Sequence, residues 1–313
     1  MTKAALPSCR HRGAEFAPGR WTCGSPRLVV PKGVTEELCC KVCPYVDHDA
    51  TPPPTPATRP PAGCGFGVAI GTYDSLHADG RRYGTESVEL NLAVLRATCG
   101  RDLRILVCDD GSPPASQRRY RDLCAAYGAE FTTNAQRMGH TSGDMIVFHK
   151  AIEWAGKLGL RTVTKISHRL VIEARNWVQD DSERLLAAGF ATMAQMLANF
   201  GIEQVRTECV MMAVDRWYSS DVLRYFRPRP ISYWNESLTF HAISRCVDSC
   251  RPYPHFLPWG RLSFFRGDDC APVYFHEMRG DADAEFRDLA RRHSVRLTDQ
   301  FSTVDSCGSL DYW

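Results

Sequence analysis

The sequence has no long apolar run. No segment of its 313 residues approaches the eighteen or so consecutive apolar residues that a membrane-spanning helix needs. The first residues, Met1 to Pro7, lack the apolar core of a signal peptide. We therefore expect a cytoplasmic protein without a transmembrane segment, in a compartment where disulfides are rare.

A charge excess of one sign is also missing. The chain has 38 Lys and Arg against 36 Asp and Glu, a formal net charge of +2. This balance gives no electrostatic reason to expect a nucleic-acid partner. Two short basic runs, at 118–121 and 291–293, lie in helix-like stretches and favour solvated helix faces.

Three regions differ in texture. Residues 1–50 have few aliphatic side chains and are rich in Cys, Arg and Gly. Residues 51–64 form a Pro/Thr linker, which we expect to be extended and semi-rigid. Residues 65–313 carry alternating strand and helix signals, as expected for one α/β domain. No internal repeat is visible.

The first region contains a cluster of cysteines. Five of the 14 cysteines fall in the first 43 residues, and a segment of this size cannot bury a core. A metal would supply the missing folding energy, so we predict a structural zinc site. Loose thiols and an iron–sulfur cluster are the alternatives, and the segment is also a candidate for binding a protein partner. The predicted zinc ligands are Cys9, Cys23, Cys43 and one of the adjacent pair Cys39 and Cys40, with Cys40 preferred.

Short apolar runs alternate with helical patterns after residue 65. Strands are predicted at 66–70, 103–108, 129–133 and 162–166. Helices are predicted at 86–98, 114–127 and 144–158. This alternation predicts parallel βαβ units in a doubly wound sheet, which places a ligand outside the carboxyl ends of the strands.

Polar residues follow each predicted strand, as a ligand crevice requires. Each has a second interpretation: Asp109 or Asp110 could form a turn or cap the next helix, and Arg137 could pair with a surface carboxylate. Asp144 could likewise cap the helix that begins there. The candidates are Thr72 and Asp74 after the first strand, Asp109 and Asp110 after the second, Arg137 after the third, and Ser167, His168 and Arg169 after the fourth.

Residues 66–175 resemble the N-terminal half of GT-A glycosyltransferases of the family-two type. The resemblance is carried by the segments 71–74 (GTYD), 107–112 (VCDDGS) and 134–139 (NAQRMG). It implies a Rossmann-like, mostly parallel sheet with flanking helices, a nucleotide-binding half at 65–175 and an acceptor half at 176–313. The cysteine-rich segment resembles those that precede similar domains in some bacterial proteins.

The resemblance also implies roles for the residues at the strand ends. Thr72 and Asp74 would line the pocket of a UDP- or GDP-sugar donor. Asp109 or Asp110 would accept hydrogen bonds from the base or the ribose. Arg137 would lie near the pyrophosphate, where a guanidinium neutralises charge.

The sequence departs from the family where a metal-binding Asp-x-Asp is expected. Ser167-His168-Arg169 stands there, and it lacks the two carboxylates that hold a divalent cation. His168 alone is a weak ligand for magnesium, although acceptable for manganese. Either Lys165, Arg169 or Arg137 stabilises the leaving diphosphate without a metal, or the domain only binds a ligand. Lys165 could equally face solvent.

The acceptor half offers three carboxylates as the base that deprotonates an acceptor hydroxyl: Glu236, Asp268 and Asp269. Glu236 could instead be a helix-start residue, and the two aspartates could form a surface turn. The sequence thus predicts sugar transfer from a nucleoside-diphosphate sugar to an unknown acceptor. A non-catalytic binding module is the alternative, and a nucleotidyltransferase is less favoured because no Gly-rich phosphate loop follows the first strand.

Overall fold

Within the cysteine-rich region, the structure describes one antiparallel hairpin. The computed structural model describes residues 12–17, 20–23, 65–76, 82–199, 202–219, 221–226, 236, 239–240, 242–243, 256–258, 273–274, 282–299 and 301. Strands β1 (Arg12–Ala17) and β2 (Arg20–Cys23) pair antiparallel. Cys9, Cys39, Cys40, Cys43 and the linker lie outside the described residues, as does the side chain of Cys23, so the zinc site stays a prediction.

A seven-stranded sheet organises the domain, in the order β12–β10–β11–β8–β3–β6–β7. The four strands β7, β6, β3 and β8 are mutually parallel, whereas β11 is antiparallel to both β8 and β10. The strands are β3 (Phe66–Thr72), β6 (Arg104–Asp109), β7 (Glu130–Thr133), β8 (Thr162–Ser167), β10 (Thr192–Asn199), β11 (Ile202–Ala213) and β12 (Phe256–Pro258).

Four two-residue strands form small pairs beside this sheet. Strand β4 (Ser75–Leu76) pairs with β5 (Arg82–Tyr83), and β9 (Leu170–Val171) pairs with β13 (Val273–Tyr274). Strand β9 of the second pair begins three residues after the last residue of β8.

Helices connect the strands and cover both faces of the sheet. Pro114 opens α2, where its missing N–H costs nothing, and Gly128 ends that helix in the left-handed conformation. No helix in the described part of the chain is long and apolar enough to cross a membrane. The helices are α1 (Thr85–Cys99), α2 (Pro114–Tyr127), α3 (His140–Lys157), α4 (Trp177–Ala187), α5 (Val214–Tyr218), a 3-10 helix (Asp221–Phe226) and α6 (Ala282–Arg292).

Two apolar layers separate the sheet from its helices. On one face, Phe148 and Ile152 of α3 pack with Ala69 of β3. On the other face, Val88 and Leu92 of α1 pack with the strand residues whose side chains point to that face of the sheet. Helices therefore cover both sides, which is the three-layer α/β arrangement that the strand–helix alternation predicts.

The chain changes direction across the sheet at β3. It proceeds outward from β3 to β6 and β7, and then returns to place β8 on the other side of β3. At such a switch point the connections leave the strand ends in opposite directions and open a crevice. The carboxyl ends of β3, β6 and β8 border this crevice.

The expected strands and helices of residues 66–167 are confirmed with small shifts of their ends. The largest shift is in α3, which begins at His140 and not at Asp144, so Asp144 does not cap it. Sequence analysis did not predict β10, whose apolar residues are interrupted by Gln195 and Asn199. The division at residue 175 stays a prediction.

The close contact between α3 and β3 gives a stability prediction. A Cβ atom on Gly67 would lie 2.7 Å from Cδ1 of Leu160 and 2.9 Å from Cζ3 of Trp154. Gly67→Ala is therefore expected to lower the free energy of unfolding by about 1–3 kcal/mol through overpacking. Chemical denaturation measures it, with Leu158→Ala at an exposed site as the control. A Gly67→Ala protein as stable as the control would contradict this packing.

Candidate active site

The carboxylate of Asp109 accepts hydrogen bonds from other groups of the protein. It ends β6 with 1% of its surface exposed. The backbone N–H and the hydroxyl of Ser112 donate to it, and Thr133 Oγ1 donates to Oδ2 at 2.6 Å. These bonds tie the loop after β6 to the end of β7, so the carboxylate shapes the crevice wall.

Asp110 fixes the loop that leads into α3. Asn134 Nδ2 donates to its Oδ1 at 2.7 Å, and the backbone N–H groups of Met138 and Gly139 donate at 3.0 Å. Burial raises the pKa of Asp110, although these hydrogen bonds oppose the shift. The helix start lies so close that only a glycine fits at 143, where a Cβ would be 2.4 Å from Asp110 Oδ2.

Thr72 and Asp74 also face inward, with 5% and 3% of their surfaces exposed. The hydroxyls of Thr72 and Tyr120 lie 3.0 Å apart. Ser116 of α2 donates to the Asp74 carboxylate, and the Asp74 backbone N–H donates to Ser112 Oγ at 2.8 Å. The four residues predicted to contact a nucleotide from β3 and β6 thus form one hydrogen-bonded wall, and their direct contact with a ligand stays a prediction.

Tyr73 and Arg137 form the accessible part of this wall. Cζ of Arg137 lies 4.0 Å from the centroid of the Tyr73 ring, a cation–π stack across the crevice. Tyr73 is half-buried and Arg137 is exposed. The stack offers a flat platform at the ends of β3 and β7.

The end of β8 carries no carboxylate. His168 is buried, and its Nδ1 lies 3.0 Å from the carbonyl oxygen of Gly71, so Nδ1 carries the proton. Its own carbonyl accepts from Asn91 Nδ2 at 2.9 Å. Ser167, the last residue of β8, and Arg169, in the turn that follows it, are half-buried. This donor set does not fit a divalent cation, and no group of three metal-binding side chains occurs among the residues described.

Lys165 lies on the same strand face as Ser167, one step deeper. Its side chain is fully buried, so it does not face solvent. Its Nζ donates to Asp144 of α3 and to the carbonyl of Thr207 in β11. A buried ammonium needs such partners, because an unpaired charge in the interior is costly. Lys165 thus connects α3, β8 and β11 beneath the crevice.

Strand β11 bulges beside this ammonium. Its pairing with β10 jumps from Ala194↔Val210 to Met196↔Val205, so four residues of β11 stand opposite the single Gln195. Bulges of this kind re-aim side chains next to active sites. The bulged segment carries Arg206 and Glu208, whose NH2 and Oε1 atoms form a 3.0 Å ion pair.

Glu236 lies within electrostatic range of the charged residues of the bulge. Burial, strengthened by the Glu208 carboxylate and then by Asp144, raises the pKa of Glu236 from 4.5 to about 7, although Arg206 opposes the shift. A carboxyl with a pKa near neutrality suits a general base. Glu236 is therefore the one predicted base that the structure describes. Asp268 and Asp269 lie outside the described residues.

The structure brings most of the predicted residues to one edge of the sheet and adds others that sequence analysis missed. Tyr73 was visible within the GTYD segment. The charged residues at positions 206 and 208 alternate with uncharged ones, which was a signal that the first part of β11 is not fully buried. Nothing in the sequence pairs Asp144 with Lys165. The missed residues are Tyr73, Arg206 and Glu208, and the pairing of Asp144 with Lys165 was missed as well.

No protein-family model matches the chain, and no curated protein matches it in sequence. The solved structures to which it is similar include a mannosyltransferase, TarS and the glycosyltransferase GlyE. The mannosyltransferase PcManGT from Pyrobaculum calidifontis, in complex with GDP-Man and Mn2+, is 13% identical with a TM-score of 0.40. TarS 1-349 from S. aureus is 12% identical with a TM-score of 0.42. GlyE from Streptococcus pneumoniae is 10% identical with a TM-score of 0.40.

These similarities are partial. The alignments cover 66%, 74% and 63% of this chain, and 58%, 64% and 46% of PcManGT, TarS 1-349 and GlyE respectively. Likeness at such scores carries no inference about activity.

The Asp110–Gly143 contact gives a prediction opposite to helix propensity. Alanine is favoured over glycine within a helix by about 1 kcal/mol. Gly143→Ala is nevertheless expected to destabilise the protein by about 1–3 kcal/mol, because the new methyl group displaces the Asp110 carboxylate. Thermal and denaturant unfolding measure this, and Glu153→Ala on the same helix is the control. Stabilisation by Gly143→Ala would show that this contact is absent.

Proposed function

We propose that this chain is a glycosyltransferase that moves a sugar from a nucleoside-diphosphate sugar to an acceptor hydroxyl, with Glu236 as the general base. The observation that carries the proposal is the set of polar groups that the switch point brings to the carboxyl ends of β3, β6 and β8. The buried carboxyl of Glu236, whose pKa burial raises to about 7, adds to it. Such a carboxyl is half ionised near neutral pH and can accept a proton there.

The order of groups along the edge supports this proposal. The stack of Tyr73 and Arg137 lies at the ends of β3 and β7, and Ser167 and Arg169 follow at the end of β8. Arg206 lies in β11, within electrostatic range of Glu236. A nucleotide sugar has its base, diphosphate and sugar in the same linear order. We assign the base to the aromatic platform, where stacking suits any nucleobase, and the diphosphate to the strand end of β8.

The reaction follows from this placement. The Glu236 carboxylate takes the proton of the acceptor hydroxyl while that oxygen forms a bond to the anomeric carbon. The bond from the anomeric carbon to the diphosphate breaks, and the nucleoside diphosphate leaves with the electron pair. Developing negative charge on the diphosphate is stabilised by fixed positive groups in the crevice.

Arginines take the place of the divalent cation in this proposal. Arg169 stands at the strand end where the resembled family has a carboxylate, and a guanidinium binds phosphate oxygens bidentately. Lys165 is assigned a different role from the one expected, because its ammonium is buried and paired with Asp144. It supports the site from beneath.

A donor screen tests the proposed function. Thermal shift and release of nucleoside diphosphate are measured with UDP-, GDP-, CMP- and dTDP-sugars, with EDTA and with manganese. One donor is expected to raise the Tm and to be hydrolysed slowly, and EDTA should leave the hydrolysis unchanged. Glu236→Gln should lower the rate by about 10²–10⁴-fold while donor binding stays within twofold, because only proton transfer is lost.

The matched control for this screen is Glu183→Gln on an exposed face of α4, which should keep the wild-type rate. Hydrolysis by wild-type protein should rise with pH and level off above an apparent pKa of about 7, because the carboxylate is the active form. Absence of any Tm shift or hydrolysis with every donor would overturn the proposed function. A rate that disappears with EDTA would overturn the arginine assignment alone.

Glu236 also gives a pH-dependent stability prediction. Its pKa is about 7 in the folded protein against 4.5 as the ordinary value, so the folded state holds its proton more tightly. This stability is fully present below pH 4.5 and is lost as the pH rises through 7. Glu236→Gln should therefore be more stable than wild type at pH 8, by up to about 3 kcal/mol.

The measurement is the difference in Tm between Glu236→Gln and wild type across pH 4 to 8.5. The difference should open as the pH rises and level off above 7. A difference that does not change with pH would mean that the Glu236 carboxyl titrates at its ordinary pKa.

A further inference from the structure

A third apolar cluster joins α1 to the C-terminal part of the chain. Leu90 and Val94 of α1 lie outside the layer between α1 and the sheet, yet at most 1% of either is exposed. The cluster that covers them contains Phe286 and Leu289 of α6, and it also includes Val171 of β9. We call α6 and the residues that follow it to 299 the C-terminal strap. The strap thus lies against both α1 and the segment that follows β8.

Glu173 is the first anchor of the strap. Arg292 Nη2 donates to its Oε2 at 2.8 Å, and His293 Nε2 lies 2.7 Å from its Oε1, so both carboxylate oxygens are bound. Burial alone would raise the pKa of Glu173, but the hydrogen bonds from Arg292 and His293 lower it, so the carboxylate stays charged. Glu173 lies four residues after Arg169, and β9 between them pairs with β13. The segment that follows the turn of β8 is therefore held by the C-terminal part of the chain.

Glu86 is the second anchor. Its side chain is fully buried, and Thr298 Oγ1 of the strap donates to its Oε1 at 2.8 Å, whereas Arg119 Nη2 lies 3.4 Å away. A buried carboxylate depends on such donors, because an unpaired charge in the interior is costly. Gly84, two residues before Glu86, lies so close to the loop after β3 that a Cβ on it would be 2.9 Å from the carbonyl oxygen of Tyr73. This anchor is thus adjacent to the loop that carries the aromatic platform.

Helix α1 connects the anchors to the turn after β8. Asn91 Nδ2 donates to the His168 carbonyl at 2.9 Å and to the Ser87 carbonyl at 3.0 Å. The two sides of the proposed donor site come from different strands, because Tyr73 follows β3 and Arg169 follows β8. The strap contacts a close chain neighbour of each side, and α1 lies between those two contacts.

We propose that the C-terminal strap holds the two sides of the donor site together, through Glu173 beside the diphosphate side and Glu86 beside the nucleobase side. Glu173, Arg292 and Thr298 are then positioning residues, which act on a donor only through the turn after β8 and the loop after β3. The assignment of these two sides rests on the proposed function. The contacts of the strap belong to the folded chain itself, so they have a test that needs no donor.

The donor-free test is hydrogen–deuterium exchange of the backbone amides, which reports local opening. Glu173→Ala removes both bonds of the first anchor and should raise exchange at residues 168–173 about fivefold, the size expected for an ion pair at the surface. Thr298→Val should instead raise exchange at residues 85–91. A general loss of stability would raise exchange equally in β6, which lies on the other side of β3 from β8.

Two further variants identify the contact responsible. Arg292→Gln should raise exchange at 168–173 less than Glu173→Ala does, because His293 still binds the carboxylate. The double variant Glu173→Ala/Arg292→Gln should equal Glu173→Ala, because both changes remove the same contact. The matched control is Arg291→Gln on the same helix. Arg291 is 80% exposed and pairs with Asp288, so its replacement should leave exchange at 168–173 at the wild-type rate.

The kinetic test uses the donor that the screen identifies. Glu173→Ala should raise the KM for that donor about fivefold and leave kcat within twofold, because the strap positions binding groups and not the reacting atoms. Unchanged exchange at 168–173 in folded Glu173→Ala would overturn the inference, and so would raised exchange with an unchanged KM. Raised exchange in a chain whose wild type binds no donor would support the strap contacts and reject the proposed function.

Discussion

The crevice depends on the pairing of one buried ammonium. Lys165 lies in the middle of the sheet with no exposed surface, and its charge is compensated by Asp144 and by the Thr207 carbonyl. A buried ion pair adds little to stability by itself, but removing one partner is strongly destabilising. The pair therefore acts as a geometric constraint: α3, β8 and β11 can meet in one arrangement only, and the groups on the β11 bulge are positioned by it.

A second constraint operates at the ends of β6 and β7, where carboxylates accept hydrogen bonds from backbone and side-chain groups of the protein. Asp109 and Asp110 hold the loops that follow β6 and β7. Because those loops are fixed, Arg137 is placed over Tyr73 before any ligand arrives. Such preorganisation is what a binding site built on loops requires, since an unsupported loop would lose its geometry. The aspartates thus serve the site through the residues that they position.

How far the sequence predicts this structure depends on the range of the interactions. The apolar spacing of Val88, Leu92 and Leu95 predicted α1 correctly because periodicity reports burial of one helix face. The sequence also predicted which polar residues lie together, because the carboxyl ends of parallel strands lie at the same edge of the sheet. The ion pair of Lys165 with Asp144 was not predicted, because the two residues meet only when α3 packs on β8. The β11 bulge was missed because register is a property of two strands together.

Strand β8 serves both halves of the site. Alternate residues of a strand share a face and are separated by about 6.6 Å along it. Lys165, which anchors the bulge beside the proposed base, therefore lies about one sugar ring's width from Ser167, where the diphosphate is proposed to bind. A displacement at an anomeric carbon needs its base and its leaving group at opposite sides of a single sugar. In the proposed reaction, β8 is the one strand that supports both sides of that sugar.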